Sequence, residues 1–384
     1  MSFKAHSNYS LVTAILPRQS TARVVEAVLN SGAAHAMSMN ARGTVMQDRW
    51  YQAFLPAISP EQEILYFLVP NEEVDHLMEE IVMEGKLQLY GAGSIFATPC
   101  EEFFCAEDYH LWEPGKYRFE SVSFDINFKE DLIALVHITD RDAAEPIAKA
   151  ALKAGAQGAT ITYIRGYGLR DRLGLLRITK KHDKELITVV VDKYDVDAVF
   201  QAMAQIGQVD LPGRGLVYQL PISKGLTNLA SVFQKKKHSA SFQQMVRAID
   251  QLQGSTDWRA NQLLVHDPKA EEFEHDIRGV SKDLKSLNIV SHRKDTDLLL
   301  QLLLDYGITG ASVSNWRLAE ADAEETEGGQ RINREFGCLN LLLSSKDVDG
   351  ICNFLQTVIE EESMKEVCIF THLVPVAKAF APIK

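Results

Sequence analysis

The sequence predicts an α+β protein built from three tandem copies of one βαββαβ unit. Three landmarks recur in each copy: a glycine followed by an arginine, a Val-Asp pair, and a closing apolar run. The glycine-to-arginine distance is 10 residues in every copy, at Gly32 to Arg42, Gly155 to Arg165 and Gly307 to Arg317. The Val-Asp pair follows the arginine after 31 or 32 residues, and the closing run follows 21 residues later. Recurrence at fixed spacing indicates internal repeats.

Each copy begins with a short apolar run, LVTAIL, LIALVHI or SLNIVS, which is typical of a buried strand. A helix follows, and in the first copy Ser20 is predicted to cap it. The landmark glycines occupy the position just after that helix, where a left-handed backbone favours glycine. A second strand reaches the arginine, and a third strand and the Val-Asp helix follow. The closing strands end at Pro99, Pro221 and Pro375, which we expect to stop further ladder pairing.

The resulting order, β-α-β-β-α-β, is the ferredoxin-like arrangement. Two helices cover one face of each sheet, so the other face needs a partner. The predicted organisation has repeats at 1–105, 131–226 and 283–384, joined by segments at 106–130 and 227–282. The second joining segment is predicted to include a helix near 241–252 and an extra strand at 262–266.

Composition and charge argue against several classes of function. The formal charge is -12 and the pI about 5.4, which argues against binding a nucleic-acid backbone. The one basic run, at 235–238, is interpreted as a solvated linker face, with a phosphate site as the alternative. No stretch approaches 18 apolar residues, and the first apolar run is too short for a signal peptide, so no membrane span is expected. Five cysteines without zinc or redox spacing favour a reducing cytoplasm.

The sequence contains no HExxH, Gly-x-Ser-x-Gly or P-loop motif, and no pair of histidines at metal-ligand spacing. No nucleophile, base and orienting group can be assembled from it. We therefore expect a binding protein rather than an enzyme, without a metal.

Several segments resemble the PII signal-transduction family, namely ATITYIRGYG in the second copy, LYGAGSIFATP in the first and LPGRGLVYQLP in the second. The resemblance spans roughly 10–105, 131–226 and 284–380, about three quarters of the chain. Members of that family are homotrimers whose sheets pack around a central axis. The resemblance therefore implies that this single chain, as a monomer, builds an intramolecular pseudo-trimer.

The resemblance also implies an adenine nucleotide (ATP, ADP, AMP or cyclic AMP) in a cleft between units, with phosphates on paired glycines and basic residues. The matching positions are Gly43, Gly91, Gly93, Gly166, Gly168, Arg170, Gly213, Arg214 and Gly215. Glycines let backbone N–H groups approach an anion, and arginine adds charge. The family lysine is replaced by Ser94 and Leu216, and the loop glutamine for 2-oxoglutarate is absent, so nitrogen sensing is not expected. The alternative is that each Gly-x-Gly only forms a tight turn.

Three long loops, at about 43–63, 168–186 and 318–337, differ in chemistry: aromatic, basic and acidic in turn. Loops of this length are often functional. In PII-like proteins they dock on partner proteins, which implies a transporter or enzyme complex as partner. Trp50 and Tyr51 are the candidate anchors, because Trp and Tyr are enriched at interface centres. Two alternatives are open: these aromatics fold back on the chain itself, or the protein is a structural subunit with degenerate, ligand-free clefts.

Overall fold

The structure, a computed structural model, describes residues 3–33, 35–44, 61–89, 92–106, 126–168, 183–228, 252, 279–320 and 334–380. Within these ranges the order β-α-β-β-α-β occurs three times. Unit 1 consists of β2 (Tyr9–Pro17), α1 (Arg18–Asn30), β3 (His35–Gly43), β4 (Glu61–Pro70), α2 (Val74–Gly85) and β5 (Gly93–Pro99). Unit 2 consists of β7 (Leu132–Asp140), α3 (Ala144–Lys153), β8 (Thr160–Gly168), β9 (Asp183–Asp192), α4 (Val196–Gly207) and β10 (Leu216–Pro221).

Unit 3 consists of β13 (Leu284–His292), α5 (Arg293–Tyr306), β14 (Gly310–Glu320), β15 (Arg334–Ser344), α6 (Ser345–Glu361) and β16 (Cys368–Val374). The remaining strands are β1 (Phe3–His6), β6 (Glu102–Ala106), β11 (Lys224–Asn228), β12 (Val280–Ser281) and β17 (Ala377–Ala379). Two of these, β6 and β11, extend past the predicted repeat ends at 105 and 226. Of the predicted helix at 241–252 only residue 252 is described, and the predicted strand at 262–266 lies outside the described residues.

Of the local helix predictions, the glycine positions agree with the structure and the cap at Ser20 does not. The landmark glycines Gly32, Gly155 and Gly307 have φ of 118°, 125° and 122°, so the predicted left-handed position after each first helix is confirmed. The predicted cap at Ser20 is wrong. Helix α1 begins at Arg18, and Pro17 precedes it in an extended conformation without a side-chain cap.

All three units share one antiparallel strand order. In unit 1 the first strand lies between the third and the closing strand, and the second strand pairs with the third, giving β3-β4-β2-β5. The equivalent orders are β8-β9-β7-β10 and β14-β15-β13-β16. This is the ferredoxin-like order that the sequence pattern predicts.

The prolines end the closing strands as predicted, since β5 and β10 end at Pro99 and Pro221 and β16 ends at Val374, just before Pro375. Beyond each proline the chain resumes as a further short strand. These strands cross to a neighbouring unit. Strand β6 of unit 1 pairs with β16 of unit 3, β17 of unit 3 pairs with β10 of unit 2, and β11 of unit 2 pairs with β5 of unit 1. Each unit thus extends one neighbour's sheet and has its own sheet extended by the other.

The second strands form another closed cycle. Residues 42–43 at the end of β3 pair with 160–161 of β8, residues 165–168 of β8 pair with 310–313 of β14, and 317–320 of β14 pair with 35–38 of β3. Each second strand therefore contacts both others, with its end against the next strand's start. This arrangement has the connectivity of a threefold ring.

Burial follows the same organisation. The helix-covered face of each unit has its own apolar cluster. The opposite faces share one cluster with members from every unit, such as Ile15, Val190 and Phe370. The sheet faces left bare within single units thus bury one another, which removes their apolar surface from water.

Two buried histidines predict acid sensitivity. Burial lowers the pKa of His137 to about 4, and burial lowers that of His372 to about 4, against an ordinary value of 6.5. The folded chain keeps both rings neutral while the unfolded chain protonates them. Their stabilisation is therefore complete above pH 6.5 and is lost as the pH falls toward 4. We expect each to remove roughly 3 kcal/mol of unfolding free energy across that range.

The measurement is urea unfolding between pH 7 and pH 4 for the wild type and for His372→Leu, which copies Leu220 at the equivalent position of unit 2. The variant should lose about half of the histidine-dependent slope. An unchanged slope would contradict the assignment of acid sensitivity to His372.

The clefts between units as candidate functional site

The glycine turn of unit 2 directly precedes the closing strand β10 and packs against the end of the first strand, β7. Gly213 and Gly215 both have positive φ, at 79° and 107°. A Cβ on Gly215 would lie 1.8 Å from the carbonyl oxygen of Ile138, so only glycine allows this approach of two backbones. The turn places β10 beside β7, with Leu216 opposite Ile138.

The glycine turn of unit 1 follows the same rule where it is described. Gly93 has φ of 130°, and a Cβ there would lie 2.1 Å from the carbonyl oxygen of Ile15. Gly91 lies outside the described residues. In unit 3 the equivalent position is the buried Val367. Backbone packing thus accounts for Gly93 and Gly215 without any ligand, which favours the tight-turn alternative for these two glycines.

The predicted glycines at the loop bases lie on the contacts between units. Gly43 ends β3 opposite Thr160 of unit 2, and Gly168 ends β8 opposite Gly310 of unit 3. Gly166 lies under a lysine, since a Cβ there would be 2.7 Å from Cγ of Lys184. The predicted contacts Arg170, Trp50 and Tyr51 lie outside the described residues, as does most of each long loop.

The cleft between units 2 and 3 combines the glycine turn with basic side chains. Nζ of Lys184 lies 2.5 Å from Oδ1 of Asp140, at the end of β7. Lys378 of β17 lies opposite Val217 of β10 and is 1% exposed, with its Nζ 3.4 Å from Oδ2 of Asp210. Among the described residues no carboxylate pairs with Arg214, which is exposed on the turn itself. Arg214 is therefore the cation most available to an incoming anion.

Lys378 is not among the site residues that the sequence predicts. In the other two crossing strands the equivalent residues are apolar. Phe104 lies opposite Ile369 and Leu226 lies opposite Ile95, just as Lys378 lies opposite Val217. The signal was a single lysine within the apolar run Val376-Ala377-Lys378-Ala379-Phe380. That run does not indicate that the lysine lies beside unit 2, because the pairing of β17 with β10 is not predicted by the sequence.

The landmark arginines, used only to define the repeat, connect the units in a cycle. Arg42 of unit 1 pairs with Glu145 and Glu185 of unit 2, each at 3.1 Å. Arg165 of unit 2 pairs with Asp297 of unit 3 at 3.3 Å, and Arg317 of unit 3 pairs with Glu63 of unit 1. Each pair of neighbouring units is thus joined by an equivalent arginine, which forms an ion pair with an acidic residue of the next unit.

The acceptors show that the three contacts are unequal. Glu185 and Glu63 occupy equivalent positions, and unit 3 has Gly337 there, with Thr296 filling the space. Glu185 is fully buried and also accepts a hydrogen bond from the Ala144 N–H at 3.0 Å. Burial lowers the pKa of Arg42, but its hydrogen bonds to Glu185 and Glu145 outweigh this and raise it. Asp297, by contrast, is 57% exposed.

Comparison with known proteins finds a family match for the second unit. Residues 133–226, about a quarter of the chain, match the family model "Nitrogen regulatory protein P-II". A solved structure described as Arabidopsis thaliana PII bound to citrate is 22% identical, covering 25% of this chain and 78% of that one, with a TM-score of 0.20. No curated protein matches the chain at a significant level.

The similarity to the P-II family thus falls on the second unit. The described helices include none that is long and apolar enough to cross a membrane. Within the described ranges there is also no group of three His, Cys, Asp or Glu residues placed to hold a metal ion.

Proposed function

We propose that this chain is a PII-like regulatory protein whose three units form an intramolecular pseudo-trimer. It docks on a protein partner through its long inter-strand loops and responds to an adenine nucleotide in the cleft between units 2 and 3. The observation that carries the proposal is the closed cycle of strand pairing, in which every unit exchanges a strand with a neighbour. The PII-family match of unit 2 supports a regulatory role.

The cleft between units 2 and 3 is the one we favour for nucleotide. Its turn lies in the matched unit, retains both glycines and presents Arg214 without a carboxylate partner among the described residues. Unit 3 adds the buried ammonium of Lys378 beside the same turn. A phosphate could then bind to backbone N–H groups flanked by two cations from different units. Binding there would be sensitive to the relative position of the units.

The partner would be recognised by the loops at 43–63, 168–186 and 318–337, whose ends are held at the ring by the paired second strands. Their aromatic, basic and acidic compositions differ, so one body presents three distinct surfaces. This favours a single asymmetric protein partner, such as a transporter or an enzyme complex, over a symmetric one.

The proposal predicts that an adenine nucleotide stabilises the purified chain. ATP, ADP, AMP and cyclic AMP are each titrated while the melting temperature is followed. A ligand at 100 times its Kd should add about 2.7 kcal/mol of stability. Arg214→Glu is expected to weaken binding at least tenfold, because it places a carboxylate where phosphate would lie.

The matched control is Lys346→Glu, the same charge change on an exposed position of α6 in unit 3. It should leave the nucleotide affinity unchanged. Equal weakening by both variants would point to overall charge rather than to this cleft.

The competing function, a structural subunit with ligand-free clefts, has one observation in its favour. Gly93 and Gly215 are required by backbone packing alone, and unit 3 has Val367 at that position. This function predicts no thermal shift with any of the four nucleotides.

A further inference from the structure

One cavity lies away from the clefts, at the centre where the three sheets face one another. The volume open to the centre of a water molecule is about 110 Å³, and the lining comes from all three units. About 10–15 Å³ by this measure is enough for one water. The cavity therefore has room for several waters, or for one small organic molecule.

Unit 3 makes this cavity polar on one side. It contributes Ser286, Asn288, Ser312, Ser314, Asn340 and His372 to the lining. The equivalent residues of unit 1 are Leu11, Thr13, Met37, Met39, Tyr66 and Thr98, so most of these positions are apolar or aromatic there. A polar lining at the centre of a core is costly unless its groups find partners.

Part of this polar set is satisfied internally. The Asn340 amide donates to Ser286 Oγ at 2.7 Å and to Asn288 Oδ1 at 2.8 Å. The His372 Nδ1–H donates to the carbonyl oxygen of Pro99 at 2.9 Å, since that oxygen can only accept. This fixes the tautomer and leaves Nε2 of His372 as an acceptor.

Two lining residues have buried polar atoms without a hydrogen-bond partner among the described residues. Nε2 of His372 is an unused acceptor, and Nε1–H of Trp316 is an unused donor. Trp316 stacks on Tyr66 with ring centroids 4.4 Å apart, which fixes its plane. Buried polar groups in folded proteins nearly always have a partner, and a molecule in the cavity that reached these two atoms would supply one to each.

None of the described residues that line the cavity is Asp, Glu, Lys or Arg, and His372 is neutral near pH 7. A charged ligand would lose its hydration without gaining an opposite charge. We propose that the central cavity binds a small neutral molecule of the primary amide class, which offers N–H donors and a carbonyl acceptor together. The proposal is independent of the nucleotide cleft.

The test uses acetamide against acetate, two probes of the same shape that differ in charge and in the N–H donors. The indole N–H resonance of Trp316, assigned through Trp316→Phe, is followed by NMR during each titration. Acetamide should shift it along a saturating curve, with acetate binding at least tenfold more weakly. A shift that is linear to the highest concentration, or equal for the two probes, would overturn the proposal.

A cavity-filling variant provides the specificity control. Ser312→Met copies Met37 of unit 1 and should abolish the saturating shift, while Ser281→Met, on an exposed position of β12, should leave it intact. If Ser312→Met does not fold, His372→Leu takes its place, copying Leu220 of unit 2. Crystals of the wild type grown with acetamide should show it in the cavity. Ordered water alone at that position would contradict the proposal.

Discussion

Replacing Arg42 with methionine is expected to destabilise the chain by about 3–5 kcal/mol, because it leaves a buried carboxylate without its cation. Glu185 is fully buried and has Arg42 at 3.1 Å, while its other oxygen is held by the Ala144 N–H. Once the guanidinium is gone, that single N–H must carry a desolvated charge. The measurement is the free energy of unfolding in urea at pH 7.

The repeat itself provides the matched control, since Arg165 occupies the equivalent position of unit 2. Its partner Asp297 is 57% exposed, and the equivalent of Glu185 in unit 3 is Gly337. Arg165→Met should therefore cost less than about 1 kcal/mol, as exposed ion pairs usually do.

A double variant tests the cause. Arg42→Met combined with Glu185→Gln removes the charge along with its partner, and should recover a substantial part of the lost stability. If the double variant were as unstable as the sum of its parts, the uncompensated charge would not be the reason.

The second large effect is expected from Gly215→Ala. A Cβ at this position would lie 1.8 Å from the Ile138 carbonyl oxygen, and the φ of 107° is strained for any L residue. Both β7 and β10 would have to move, at the place where β17 of unit 3 also pairs. We expect a loss of about 3 kcal/mol or more of unfolding free energy.

Gly350→Ala is the control for the chemical change itself. Gly350 lies inside α6, its Cβ would make only an ordinary contact at 3.6 Å, and unit 2 has Ala198 at the equivalent position. Alanine should stabilise this helix by about 0.5–1 kcal/mol. A loss at Gly350 similar to that at Gly215 would show that glycine replacement in general, rather than the close approach, is being measured.

The elements within a unit could be predicted because their signals are local. Apolar runs, helix stripes and glycines such as Gly155 depend on neighbouring residues only, and the structure contains them at the expected places. The contacts between units could not be predicted in the same way. Which carboxylate receives Arg42 depends on residues more than a hundred positions away. The register of the crossing strands is likewise set by partners distant in sequence.

The candidate site shows the same division. Gly213 and Gly215 were predicted from a local motif, and they form a tight turn. Lys378 could not be predicted in this way, because it reaches the site only through the pairing of β17 of unit 3 with β10 of unit 2. A sequence match to a family marks residues that lie within one unit. It says nothing of a residue that a neighbouring unit contributes at a non-family position.

The strand exchange has a consequence for synthesis on the ribosome. Strand β6 leaves the ribosome long before its partner β16 has been made, because the two lie far apart in the chain, with Cys105 opposite Cys368. Until β16 has been made, the edge of β6 that will pair with it has no partner strand, and unpaired strand edges can bind other chains. Truncation before β16 would therefore damage the first unit as well as the third, and the nascent chain needs protection until β16 has been made.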